Sequence, residues 1–196
     1  MRRRTFDIIL TAVGAVLTVG LLVAGGLLMW GYQFANSTVH DQLAAQQIYF
    51  PPKGSEALAS PEIGPYLNKY AGQQLTSGAQ AEAYADHFIA VHLKEIAGGK
   101  TYAQVSSQAL ANPTDTKLQG QVQTLFRGET LRGMLLNAYA FWKFGQIALY
   151  SAIAAFAAAA VMLVLTLLGA RHLRRVLPEE EVFAGSGTDT RATVSA

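Results

Sequence analysis

Residues 8–30 read IILTAVGAVLTVGLLVAGGLLMW, 23 in succession without a charge. As a helix rising 1.5 Å per residue, this segment extends about 34 Å, enough to cross a hydrocarbon core of about 30 Å. Residues 144–170 form a second uncharged stretch, of 27 residues, long enough to cross with tilt. Only 14% of the 196 residues are charged, and the deficit is concentrated in these two stretches. The expected fold class is all-α, with two transmembrane helices flanking an extracytoplasmic helical domain. The expected division is a cytoplasmic N-terminus (1–7), helix 1 (8–30), the helical domain (31–143), helix 2 (144–170), and a basic flank with a solvated tail (171–196).

Direction follows from charge. Arg2, Arg3 and Arg4 precede the first span, and residues 31–50 beyond it contain no Lys or Arg, so the N-terminus is expected to stay inside. The second span is followed by Arg171, His172, Arg174 and Arg175, although Arg127, Arg132 and Lys143 precede it. Trp30, Tyr32 and Phe34 leave span one, and Tyr139, Phe141, Trp142 and Phe144 enter span two. One aromatic belt at the outer interface accounts for both groups. The expected location is the plasma membrane, with both termini cytoplasmic. Arg3-Arg4-Thr5-Phe6 also resembles the opening of a twin-arginine export signal. Against that, Asp7 interrupts the motif, the apolar segment exceeds an ordinary signal core, and no A-x-A cleavage site follows Trp30.

Within the spans, Thr11/Ala15, Gly14/Thr18 and Gly20/Ala24, then Ser151, Ala155 and Ala159, repeat small residues at a spacing of four. That spacing suits close helix packing, although small residues are common in any membrane helix. Gln146, Ser151 and Thr166 are too scattered to line an ion path.

In the intervening domain the expected first helix covers about Ser37–Tyr49 and stops at Pro51-Pro52. Ser60-Pro61 opens a short helix towards Tyr70, and a turn follows at Thr76–Gly78. The helix from Ala79 to Ala97 is expected to bury Ala81, Tyr84, Ala85, Phe88, Val91 and Ile96, with Glu82, Asp86 and Lys94 outward. Phe88→Ala is then expected to cost about 3–5 kcal/mol and Glu82→Ala little. Gly98-Gly99 supplies a left-handed C-cap. Thr101 caps Tyr102–Ala111, Asn112-Pro113 ends it, and Thr114 or Asp115 begins the next helix. Gly128 and Gly133 mark a candidate hinge, or a plain break, before span two. Beyond Pro178 the acidic run Glu179-Glu180-Glu181 and the Ser186, Thr188 and Thr190 hydroxyls belong to a tail open to phosphorylation.

Chemistry-bearing residues are sparse. No cysteine occurs, which excludes disulfides and thiolate metal sites. His92 and Glu95, three apart on the long helix, form the candidate ligand-binding or pH-sensing pair; a satisfied polar contact against Glu129 and Arg132 is the simpler account. His87 and His92 are five apart and lack the i, i+4 spacing of a helical zinc site. Neither a G-x-S-x-G nor a phosphate-binding glycine loop is present. No catalytic residue, metal or cofactor is expected. With a net charge of +2 and basic residues gathered at the span ends, nucleic acid is not an expected partner. A lipid bilayer is expected, with a protein of the membrane or envelope.

Gln46-Gln47-Ile48-Tyr49-Phe50-Pro51-Pro52, Tyr66-Leu67 with Lys69-Tyr70-Ala71-Gly72, and Gly128-Glu129-Thr130-Leu131-Arg132-Gly133 with Ala138-Tyr139 together resemble a family of two-span membrane proteins of high-GC Gram-positive bacteria. The resemblance covers both spans and the domain between them, and it implies no assigned activity, cofactor or site. Some similar chains are labelled as ring-opening dioxygenase subunits. The histidines and carboxylate of a non-haem iron site are not clustered in this sequence. The expected role is a non-enzymatic accessory or scaffolding subunit of the bacterial cell envelope. A membrane-anchored sensor of a small molecule or lipid stands second, and an enzyme or enzyme subunit third.

Overall fold

The computed structural model describes residues 3–175. The acidic run at Glu179 and the Ser186, Thr188 and Thr190 hydroxyls lie outside these residues. The described chain is all-helical, without a strand. Over the described residues it divides into two compact units: 3–28 with 150–175, and a central domain, Met29–Leu149. Helix α1 covers Arg3–Ala45 and helix α6 covers Thr116–Leu173. Both are long and apolar enough to cross a membrane.

In the first unit, the residues of α1 shielded from the surface are Asp7, Thr11, Gly14, Thr18, Leu21, Gly25 and Leu28. Their spacing alternates three and four, a heptad seam rather than the four-residue repeat read from sequence. Of the small-residue pairs, only Gly14/Thr18 lies on this face; Ala15, Gly20 and Ala24 are exposed. Facing them on α6 are Ala152 and Ala159, almost fully buried, while Ser151 is exposed. Glycine permits the close approach: a Cβ on Gly25 would stand 2.8 Å from the Phe156 ring, and one on Gly14 2.6 Å from Thr166 Oγ1. The Thr18 hydroxyl donates to the Gly14 carbonyl at 2.8 Å, so its burial leaves no donor unpaired.

In the central domain, α1 ends at Ala45, four residues before the expected stop. Gln47 takes φ 52°, so the left-handed turn reverses the chain before Pro51-Pro52 is reached. Residues 48–50 then run against 73–75 through one isolated antiparallel bridge, Tyr49 to Gln74. Gln74 Nε2 donates to the Ala44 carbonyl at 2.8 Å, closing the end of α1. Since a left-handed residue bearing a Cβ costs about 1–2 kcal/mol, Gln47→Gly is expected to raise the midpoint of thermal unfolding, as followed by circular dichroism. A lowered midpoint would show that the Gln47 side chain contributes more than its backbone costs.

The expected helix from Ser60-Pro61 begins later. Glu62 N–H donates to Ser60 Oγ, and the α-turn α2, Gly64–Leu67, carries Pro65 in its first turn and tightens into a 3₁₀ turn, Asn68–Tyr70. Next comes a helix in three parts: α3, Gly78–Tyr84; a π-helical turn, Ala85–Ile89; and α4, Ala90–Ile96. Ser77 and Gln80 form a reciprocal capping box at its start. At its end Gly98 and Gly99 take positive φ and donate to the Glu95 and Lys94 carbonyls, as expected of this C-cap.

The wider π turn corrects the expected stripe. Ala81, Ala85, Ile89, Leu93 and Ala97 are all buried, four apart at every step. A pure α-helix turns 40° too far at each such step, and the extra residue of a π turn recovers the angle. Phe88 and Tyr84 therefore pack only partly against the core, and Ile96 is exposed. Helix α5, Tyr102–Ala111, has the expected Thr101 cap, completed by Gln104, and ends at Asn112. Asp115 Oδ1 accepts from Leu118 N–H and opens α6. The buried core joins Val39 and Leu43 of α1, Phe50, Leu58, Leu67 and Leu75 of the connections, and Leu125 and Leu135 of α6.

Candidate functional site

His92 is half-buried on α4, with Nδ1 2.7 Å from the Phe88 carbonyl oxygen and its ring 4.5 Å from the Phe88 ring. A carbonyl only accepts, so Nδ1 carries the proton of that bond. Glu95 is exposed and lines a shallow cleft with Lys100, Gln108 and Gln121. Among the described residues no hydrogen bond or ion pair joins Glu95 to His92, so the two occupy separate surroundings.

The polar contact expected for His92 and Glu95 against the Glu129/Arg132 segment is made instead by Asp86, read from sequence as an outward residue. Arg132 donates to Asp86 Oδ1 at 2.9 Å and meets Glu129 at 3.5 Å. The Asp86 hydrogen bond is the main reason the guanidinium is held above its ordinary pKa. Both partners are about a third exposed, at 33% and 37%, so water weakens the pair and its worth lies in fixing α6 against the π turn. Arg132 Nε is buried without a partner. Glu82, one turn earlier, approaches Tyr139, and its hydrogen bond raises the phenol pKa. Lys94 pairs loosely with Glu62 at 3.7 Å.

His87 stacks face to face on Tyr66, with centroids 3.4 Å apart and planes 1° from parallel. Open clefts of about 410 and 190 Å³ flank this stack. His40, on α1, is exposed beside Asp41. Among the described residues no three His, Asp or Glu side chains converge on one point. His92, Glu95, Glu129 and Arg132 do not share a cavity.

The candidate hinge glycines differ from each other. Helix α6 passes through Gly128 and Gly133 without interruption, so neither marks a break. A Cβ on Gly128 would stand 2.4 Å from Leu93 Cδ2, whereas one on Gly133 meets open space. Gly133→Ala is expected to stabilise the helix by up to about 1 kcal/mol, and Gly128→Ala to destabilise by about 1–3 kcal/mol through overpacking. Urea unfolding of the two variants checks the opposite signs; a common sign would refute the packing account of Gly128.

A groove of about 500 Å³ lies in the central domain. Val39, Leu43 and Ile48 form one side and Leu131, Leu135 and Phe141 the other; Thr38, Gln42, Gln46 and Asn137 supply its polar positions, and no lining residue is ionisable. Sequence reading missed it. The signal was the apolar series Leu131, Met134, Leu135, Ala138 and Phe141, which reads simply as the approach to span two until a facing helix defines the gap.

No protein-family model matches this chain, and neither a curated protein nor a solved structure does.

Proposed function

We propose that this chain is a non-enzymatic integral membrane protein of the cell envelope whose central domain binds another protein as an accessory or scaffolding subunit. Residues 8–30 and 144–170 span the plasma membrane, residues 31–143 are extracytoplasmic, and both termini are cytoplasmic. The reading rests mainly on surface character: Leu110, Phe126 and Met134 of the central domain are 81%, 56% and 66% exposed. A partner protein that covers these side chains removes their apolar area from water. Arg132, Asp86 and Glu129 are occupied with one another, which supports a structural use of the central charges.

Two experiments test the reading. Because the chain has no cysteine, single-cysteine variants report topology directly. Lys53→Cys should react with an impermeant maleimide in intact cells, and Arg174→Cys only after permeabilisation; the reverse pattern would invert the protein. A photoreactive residue at Phe126 should crosslink one defined membrane or envelope protein, and irradiation without any heterologous adduct would overturn the scaffold role. A second reading, a membrane-anchored sensor of a lipid or small molecule, is favoured by the uncharged groove.

A further inference from the structure

We draw no further inference here: the strongest candidate, the uncharged groove between residues 38–48 and 131–141 of the central domain, is an open surface of mixed apolar and amide character, and nothing in the structure shows what covers it.

Discussion

Leu67→Ala is expected to cost the central domain about 2–5 kcal/mol, the range for removing a fully buried leucine side chain. Leu67 has no exposed surface, and α2 is a single turn with no internal stability of its own. The cavity left by the missing side chain would sit where α2, the connections and the three-part helix meet. Phe88, placed at the centre of a buried stripe by its spacing, is only partly buried and stands in a surface-reaching aromatic row: Phe50 to Tyr84 at 5.4 Å, Tyr84 to Phe88 at 4.8 Å, then His92. Phe88→Ala should therefore cost less than Leu67→Ala. Urea unfolding of the full chain in detergent gives both values. A larger loss for Phe88→Ala would restore the stripe drawn from the α-helical period alone.

Gly78→Ala is the second large effect. Gly78 opens α3 directly against Trp142, and an added Cβ would stand 2.4 Å from the Trp142 Cβ and 2.5 Å from its Cγ. The Trp142 Cβ is fixed by the α6 backbone and cannot swing aside as a leucine methyl can. The start of α3 must retreat, drawing the Ser77–Gln80 capping box with it. The expected loss is about 1–3 kcal/mol, towards the upper end. Trp142 emission in a Trp30→Phe background reports the change at the contact itself. An unaltered spectrum with unaltered stability would mean that α3 does not rest on Trp142.

What could be read from sequence was local. Two uncharged segments of 23 and 27 residues need no partner to be recognised, and Thr101, Asn112-Pro113 and Gly98-Gly99 act on their own immediate backbone. The misreadings all involve distant residues. Gly128 resembles a helix break because glycine costs about 1 kcal/mol in a helix, and only Leu93, 35 positions earlier, reveals that the small residue is needed for contact. Asp86 looks solvated until Arg132, 46 residues on, is placed beside it. His92 and Glu95 share a helix at a spacing that suits a pair, yet one turns to its own backbone and the other to water. The groove requires two segments about 90 residues apart, so no local period announces it.

The π turn at Ala85–Ile89 has a consequence for how this chain can vary. It holds one residue more than an α-helical turn, and its greater width absorbs that residue so that α4 keeps its face. Deleting a single residue there is expected to restore regular α-helical bonding and to leave Leu93 against Gly128, whereas the same deletion within α3 or α4 would turn everything beyond it by about 100°. At Lys53-Gly54, an exposed turn ahead of the buried Leu58, length is free as well. Within this one domain, changes of length are therefore tolerated at two places that differ in kind, a surface turn and the middle of a packed helix.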